Sequence, residues 1–276
     1  LEIRGTGAPL LQLDDTSYIT IANSRIVPLP DQPHQVSNLI SGKGNHLLIG
    51  NEFSGWGVGE DNHCESLLSL EPDYAAFVDH NVFVDNHCDQ LIDIDAASQS
   101  NFDDGTSAPL TLILQNNTFL NNPSLISLKP HGEPYVIHLK NNIVVGAESV
   151  FVAKPEDDFY QPIAPSGIVS SANLLWNSGT ESMLPSEPSA RARAVTEVAD
   201  LHVDPLLANE TQSPLSPWSP AIDAGVEPTS FETMQSILDV QQGDLKTDIQ
   251  IPYEPLDGLG DGKAVHDIGA DEYELP

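Results

Sequence analysis

Two stretches of the sequence repeat histidine and cysteine at a spacing that suggests metal binding. NHCESLLSL at residues 62–70 returns 24 residues later as NHCDQLIDI at 86–94. Histidine and cysteine are the usual ligands of structural zinc. The candidate ligands are His63, Cys64, His87 and Cys88.

The other interpretation of this repeat is a coiled backbone in which equal positions lie above one another. Neighbouring residues on a strand point to opposite faces, so two histidines and two cysteines would not converge on one ion. We therefore expect a stacked pair of thiols. Their separation would allow a Cys64–Cys88 disulfide if the protein is exported.

Carboxylates form a second group of candidate ligands. Several aspartates fall on one predicted strand and the long loop after it, and such hard oxygen ligands suit Ca²⁺. The predicted calcium ligands are Asp93, Asp95, Asp103 and Asp104. Solvated acidic turns are the alternative. The stretch DGLGDGKAVHD at 257–267 resembles a calcium loop only in part, because it lacks a carboxylate at every second position.

The charge balance narrows the choice of partner. The 276 residues include 41 Asp plus Glu against 10 Lys plus Arg, a net charge of −31. This charge repels nucleic acid and anionic membrane surfaces. No apolar run approaches the roughly 20 residues that span a bilayer, so no membrane insertion is expected. The opening residues LEIRGTGAPLL lack a signal-peptide layout, so an exported protein would have had its targeting segment removed.

Six segments with the period-two pattern of a strand would position these groups. They are PLLQLDD, NLISGKG, SLLSLEP, QLIDIDA, SLISLKP and SVFVAKP, beginning at residues 9, 38, 66, 90, 124 and 149. We call their gap-free alignment the first ladder. Apolar residues two apart would face a core. The residues between them would point outward, namely Ser69, Asp93, Ser127 and Val152.

A second series of strand patterns ends in asparagine, at residues 23, 51, 81, 117, 142 and 173. Asparagine tolerates left-handed backbone and bonds locally, so it suits a bend between strands, and stacked asparagines can bond to one another. Two strands per period of 24 to 34 residues predict a parallel β-solenoid. Equal positions in successive coils would then lie about 4.8 Å apart.

This pattern resembles the right-handed parallel β-helix of the pectate lyase-like superfamily, in which N-N-T-F-type bends recur once per coil. The resemblance covers residues 1–178 and implies an all-β fold, a right-handed parallel β-helix. Either further N-terminal coils of a longer chain precede the first ladder, or another element covers that end.

Residues 179–276 resemble the closing segment of many secreted bacterial β-helix proteins. The matching blocks are VDPLL (203–207), SPLSPWSPAIDAG (213–225) and DGLGDGKAVHDIGADEY (257–273). We expect an irregular C-terminal cap packed on the last coil, with one short helix near 229–240. The resemblance also implies an exported bacterial protein, extracellular or at the cell surface.

The first ladder also aligns an outward column of charges. Its members are Asp14, Lys43, Glu71, Asp95, Lys129 and Lys154. In the β-helix polysaccharide lyases, a Lys or Arg removes the proton alpha to a uronate carboxylate, which Ca²⁺ or cationic side chains neutralise. A charge ladder that lends solubility is the alternative.

SLISLKP and SVFVAKP are similar to catalytic strands of the chondroitinase B and alginate lyase group, which carry Lys on one coil and Arg on the next. That resemblance implies Lys129 as the base and Lys154 in the Arg position, with His131 as a neighbouring acid or base. Lys43, Glu71 and Asp95 would then bind substrate.

The expected function is a secreted carbohydrate-active protein that binds, and as an enzyme would cleave by β-elimination, an acidic polysaccharide. The alternative is a non-catalytic structural or adhesin-type module of a larger surface protein. A net charge of −31 favours the alternative unless Ca²⁺ bridges the protein to the polymer.

Overall fold

In the residues that it describes, the computed structural model is built of β-strands, which pair in parallel except for the antiparallel pair of Leu207–Asn209 with Gln212–Leu215. It describes residues 1–5, 11–31, 35–59, 61–70, 74–94, 110–128, 135–153, 167–179, 183, 194–198, 200–209, 212–230, 233 and 266–270. The strands are β1 (Glu2–Gly5), β2 (Leu11–Ala22), β3 (Arg25–Pro28), β4 (Gln35–Ile49), β5 (Glu52–Ser54), β6 (His63–Leu70), β7 (Ala75–Asp79), β8 (Val82–Val84), β9 (Ile92–Ile94), β10 (Leu110–Gln115), β11 (Thr118–Leu120), β12 (Ser124–Leu128), β13 (Tyr135–Lys140), β14 (Ile143–Val145), β15 (Ser149–Ala153), β16 (Gly167–Ser171), β17 (Leu174–Trp176), β18 (Ala194–Val198), β19 (Leu207–Asn209) and β20 (Gln212–Leu215). Among the residues described, no helix is long and apolar enough to cross a bilayer.

Each coil of the chain contributes to three faces of a solenoid. Seven short strands form one parallel sheet in the order β1-β3-β5-β8-β11-β14-β17, called here the short sheet. The 11-stranded sheet has two halves joined by the long strands β2 and β4. The first-ladder face runs β4-β6-β9-β12-β15, and the second-ladder face runs β4-β7-β10-β13-β16-β18. The predicted all-β parallel β-helix is confirmed.

The first ladder has the register that its alignment predicts. Equivalent apolar residues pair across successive strands, in the order Ile40, Leu68, Ile92, Ile126 and Phe151. The sequence distance between coils varies from 24 to 34 residues without shifting these pairs. Insertions therefore occur between the strands, while the strand positions repeat.

The interior of the solenoid is a continuous apolar core. Leu68, Ile92 and Ile126 belong to it and are at most 3% exposed. Three phenylalanines stack inside successive strands of the short sheet, with ring centroids 5.0 Å apart for Phe53 and Phe83 and 4.9 Å apart for Phe83 and Phe119. Parallel stacking of identical side chains is what a backbone repeating once per coil produces.

The bend between the second-ladder face and the short sheet contains a stack of buried asparagines. We call this stack the asparagine ladder, and its members are Asn51, Asn81, Asn117, Asn142 and Asn173. In every step, Oδ1 of the later asparagine accepts hydrogen bonds from the backbone N–H and from Nδ2 of the earlier one, at 2.9–3.1 Å. The predicted bonding between stacked asparagines is confirmed.

The two ends of the asparagine ladder differ from the prediction. Ser24, not Asn23, occupies the ladder position of the first coil, because its N–H donates to Asn51 Oδ1 at 3.0 Å. Asn23 has φ 49° and aligns with the left-handed residue that precedes each ladder asparagine. At the other end, Asp200 Oδ1 accepts from the N–H and Nδ2 of Asn173 at 2.8 and 3.1 Å. A carboxylate can end the series because it accepts these bonds and has no Nδ2 donor that needs a further partner.

The bend that follows the short sheet also combines a left-handed residue with a stacked asparagine. Asp85 and Asn121 have positive φ, and each is followed by a buried asparagine. Asn86 donates from its N–H and Nδ2 to Asn122 Oδ1 at 3.2 and 3.1 Å. This shorter stack was not predicted, because only two of the coils carry asparagine there.

The repeated His-Cys stretches are joined by a disulfide. Cys64 and Cys88 have their Cα atoms 4.4 Å apart and are bonded through sulphur. Both residues are 2% exposed. The bridge links consecutive coils and leaves neither thiolate available to a metal, so the zinc interpretation is wrong for these cysteines.

The C-terminal part of the chain contacts the solenoid over several coils. β18 adds a parallel strand next to β16, and Leu201 pairs with Leu174 at the end of the short sheet. Beyond them, residues 215–230 and 266–270 pack together, and we call them the C-terminal lock. Of the predicted helix at 229–240, the structure describes Thr229, Ser230 and Thr233, where Ser230 Oγ accepts from the Thr233 N–H as a helix N-cap does.

The C-terminal lock covers the outer surface of the short sheet at β14 and β17. A small apolar cluster forms there, called here the lock cluster, from Ile143, Leu174, Leu215, Ala221, Ile222 and Ile268. The AIDAG and HDIGA blocks join each other through bonds from the Gly225 N–H to His266 O at 2.7 Å and from the Ile268 N–H to Ala221 O at 3.0 Å. The Gly269 N–H also donates to Asn141 O at 2.7 Å. These bonds hold the two sequence blocks together and join one of them to the bend after β13.

Candidate functional site

Of the nine predicted site residues, the structure describes two. Lys43 is in β4 and Asp93 is in β9. The others lie outside the described residues, namely Glu71, Asp95, Asp103, Asp104, Lys129, His131 and Lys154. The structure therefore describes the strands that precede most of the predicted column in sequence.

The strands leading into the column are in register at their last residues. Leu70 pairs with Ile94, Ile94 with Leu128, and Leu128 with Ala153. In sequence, Glu71, Asp95, Lys129 and Lys154 each come directly after one of these four residues. At the other end of the face, β2 and β4 shift register between Leu13 and Ser17, opposite the segment that contains Lys43.

The outward position next to the column is more enclosed than predicted. Ser69 pairs with Asp93, and Asp93 pairs with Ser127. All three alternate with core residues, yet Ser69 and Asp93 are 7% exposed and Ser127 is 0% exposed. Pointing away from the core therefore does not make them solvent-exposed, and this position forms a buried polar row.

Among the residues described, no group of three or more His, Cys, Asp or Glu side chains could hold a metal ion. Of the four predicted calcium ligands, Asp93 alone is described, and its register neighbours Ser69 and Ser127 offer hydroxyl groups. Hydroxyl and carboxylate oxygens are suitable donors for Ca²⁺. The other three ligands of that prediction, Asp95, Asp103 and Asp104, are outside the described residues.

A second polar cluster, which sequence reasoning missed, lies where the C-terminal lock meets the second-ladder face. Asn141 Oδ1 accepts from the Val226 N–H at 2.8 Å and its Nδ2 donates to Val226 O at 2.7 Å. Gln115 pairs in the same way with the N–H and C=O of Thr229, at 2.8 and 3.2 Å. The amide of Gln115 at the end of β10 and that of Asn141 in the bend after β13 thus hold two residues of the C-terminal lock.

Charged groups at this contact have altered affinities for protons. Lys140 Nζ donates to Thr229 Oγ1 at 3.1 Å. Burial lowers the pKa of the Lys140 ammonium, and the nearby Glu227 carboxylate partly opposes that shift. Burial, together with the positive charge of Lys140, lowers the pKa of His138 on the same face of β13. Because Lys140 is bonded to the lock, we assign this cluster to docking of the C-terminal segment.

Close to this contact lies a buried acid and imidazole pair. Asp79 Oδ1 is 2.7 Å from His80 Nδ1 and accepts a hydrogen bond from Asn116 Nδ2 at 2.9 Å. Asp79 is 1% exposed and His80 is 5% exposed. Because both side chains are buried, they cannot contact a substrate, and we assign them a structural role in the bend. The repeated D-H-N and Q-N-N triplets mark this bend in sequence, although a contact with Thr229 114 residues away leaves no local signal.

Comparisons with protein-family models, with curated proteins and with solved structures find no match to this chain. The β-helix is a scaffold for many functions, so the fold alone does not assign one. The function must be argued from the residues on its faces.

Proposed function

We propose that this chain is an exported protein of the pectate lyase-like type that binds an acidic polysaccharide along its first-ladder face. The observation that carries the proposal is the register of Leu70, Ile94, Leu128 and Ala153. A rigid row of equivalent positions, one strand apart, suits a polymer with repeating charges. Lys129 and Lys154 follow two of these positions and would meet uronate carboxylates with their ammonium groups.

The proposed chemistry is β-elimination. A neutral Lys129 amine takes the proton alpha to the uronate carboxylate, whose charge Lys154 neutralises. The electron pair left on carbon forms a carbon–carbon double bond as the bond to the glycosidic oxygen breaks. His131 gives a proton to that oxygen. The products are one chain with an unsaturated uronate end and one with a new hydroxyl.

Export is supported by the disulfide between Cys64 and Cys88. Disulfides persist in oxidising compartments and are rare where glutathione and thioredoxin keep thiols reduced. Both cysteines of the chain are used in this bridge. An extracellular or cell-surface location agrees with a polysaccharide ligand.

We also propose that Asp93, Asp95, Asp103 and Asp104 hold Ca²⁺. Support comes from the donor chemistry of Asp93 and the adjacent hydroxyls of Ser69 and Ser127. A bound cation would offset part of the repulsion between an anionic polymer and a protein of net charge −31. Calorimetric titration of the protein alone with CaCl₂ tests this, and Asp93→Asn should weaken the measured binding.

Cleavage is tested by following the ultraviolet absorbance of unsaturated uronates. The purified chain is incubated with alginate, pectate or a glycosaminoglycan, with and without Ca²⁺. We expect a rise in absorbance that Lys129→Ala abolishes and that Lys140→Ala, a lysine in the lock contact, preserves. A wild-type rise unchanged by Lys129→Ala would contradict the assigned base.

A non-catalytic structural or adhesin-type module is the second candidate, and the buried row Ser69, Asp93 and Ser127 favours it. This row is enclosed, although it lies beside the predicted substrate-binding column. An adhesin-type module would bind the polymer, whereas a structural module would act only as a spacer. In neither role would the absorbance rise with any polymer. Affinity electrophoresis in gels containing the same polymers separates the two roles, since a spacer is not retarded.

A further inference from the structure

Exposed apolar side chains are concentrated around the C-terminal lock. Seven large hydrophobic residues in the described part of the chain are exposed. Four of them lie on β17 or between residues 203 and 218, namely Trp176, Val203, Leu206 and Trp218. Single exposed apolar residues are ordinary, but a group with two tryptophans indicates a binding surface.

Trp218 is presented to solvent by a well-bonded turn. It is 84% exposed, while the next residue, Ser219, is 6% exposed. The Ser219 N–H donates to Ser216 O at 3.0 Å, its Oγ donates to Pro205 O, and that Oγ also accepts from the Ala221 N–H at 3.1 Å. Because the turn is held on both sides, the indole loses little backbone entropy when a ligand covers it.

Trp176 borders the same apolar cluster from the short sheet. It pairs in register with Val145, which packs against the lock cluster, and it is 41% exposed. Leu174, two residues earlier on the same face of β17, belongs to that cluster. Leu215, three residues before Trp218, belongs to it as well. Trp176 is thus in register with a side chain that packs on the lock cluster, and Trp218 is three residues from a member of that cluster.

The polar groups near the two indoles define the ligand chemistry. Asn177, His202 and Asp204 are exposed, and they supply amide, imidazole and carboxylate groups. The described stretches between residues 167 and 230 contain no Lys or Arg. An indole face packs against the C–H face of a pyranose, while amide and carboxylate groups bond its hydroxyls. Because these described stretches expose the Asp204 carboxylate and contain no Lys or Arg, they favour a neutral sugar over a uronate.

We propose that Trp176 and Trp218 form a binding surface for uncharged sugar units of a polysaccharide. The inference rests on the proposed function for the class of polymer and adds a second surface with the opposite charge preference. The first-ladder face takes acidic units, and the tryptophan surface takes neutral ones. A heteropolysaccharide with both kinds of unit would engage both surfaces of one molecule.

The three tryptophans of the chain allow a direct test by fluorescence. Trp56 is 0% exposed and its Nε1 donates to Ile26 O, so it is an internal reference that acrylamide should not quench. The protein is titrated with neutral hexasaccharides of glucose, xylose and mannose, and separately with oligouronates. We expect one neutral series to protect Trp218 from quenching saturably. Trp218→Ala and Trp176→Ala should each weaken that binding by at least about tenfold, whereas Val58→Ala, at another exposed apolar residue, should not.

Three results would overturn this assignment. One is the absence of saturable protection by any neutral hexasaccharide. Another is neutral-sugar binding that survives both tryptophan substitutions. The third is light scattering that shows a dimer lost in Trp218→Ala, since a second copy of the chain would then occupy the surface. Binding of oligouronates that depends on Lys129 and not on Trp218 would leave the first-ladder proposal intact in each case.

Discussion

Replacement of Asn117 by alanine should remove the most connected part of the asparagine ladder. Asn117 is 0% exposed, and its Nδ2 donates to Val78 O at 2.8 Å, Gln115 O at 2.7 Å and Asn142 Oδ1 at 3.0 Å. Its Oδ1 accepts from the N–H and Nδ2 of Asn81 at 2.9 and 3.1 Å. Alanine removes all these bonds and deprives the buried Asn81 N–H of its acceptor.

The expected loss of stability follows from these contacts. A typical hydrogen bond contributes about 1 kcal/mol net, and an orphaned buried donor costs about 1–3 kcal/mol. Some of the freed groups keep other partners, so we expect Asn117→Ala to lower the free energy of unfolding by about 3–5 kcal/mol. Asn117→Asp should be similarly damaging, because a carboxylate cannot donate to the three oxygens that Nδ2 now contacts.

Urea unfolding followed by far-ultraviolet circular dichroism measures these differences. The control is Asn121→Gly at the other bend of the same coil, where an exposed asparagine with φ 54° bonds Asp85 Oδ1 at 3.0 Å. Glycine keeps the left-handed backbone, so the loss should stay below about 1 kcal/mol. An Asn117→Ala protein as stable as this control would refute the view that the ladder holds the coils together.

Three further predictions concern the disulfide, a histidine and a glycine. Replacing Cys64 and Cys88 by serine should cost about 3.5 kcal/mol, the loop-closure estimate for their separation of 24 residues, with reductant destabilising only the wild type in a thermal melt. Burial lowers the pKa of His138 in the folded state, so the unfolded chain binds the proton first and stability should fall as the pH drops below 6.5. His138→Gln should flatten that part of the unfolding free energy measured against pH. A Cβ on Gly225 would lie 2.4 Å from His266 O, so Gly225→Ala should separate the two lock blocks and speed amide exchange in the lock, and unchanged exchange would contradict this packing.

The repeating part of the fold could be predicted because its physical cause is local. Apolar residues two apart must face one core, and every coil meets the same neighbours, so Leu68, Ile92 and Ile126 align by pattern alone. The loops between these strands differ in length, but their length does not change the alternating pattern within the strands. The Cys64–Cys88 pair followed from the same alignment.

The first position of the asparagine ladder was misplaced for a related reason. Each bend has two adjacent positions that accept asparagine, one with left-handed backbone and one with a stacked side chain. Asn116 and Asn117 fill both in one coil, whereas Asn23 fills the left-handed position and Ser24 the stacked one in the first coil. Residue type alone cannot separate two neighbouring positions with the same preference.

The surroundings of the candidate sites depend on contacts that local pattern does not contain. Period-two alternation correctly placed Asp93 away from the core, but its burial depends on what packs outside the sheet. The paired amides of Gln115 and Asn141 meet residues 114 and 85 positions away in sequence. The turn that exposes Trp218 likewise depends on a bond from Ser219 Oγ to Pro205 O, 14 residues earlier.

Polysaccharide binding by the first-ladder face is best tested by isothermal titration of the purified protein with defined alginate and pectate oligomers in the presence of Ca²⁺. We expect saturable binding of at least one acidic oligomer, weakened by at least about tenfold in Lys129→Ala and Lys154→Ala and unaffected in Lys140→Ala. Absence of binding to every acidic oligomer, or binding that is equally strong in all three variants, would contradict the assignment of the first-ladder face as the polysaccharide site.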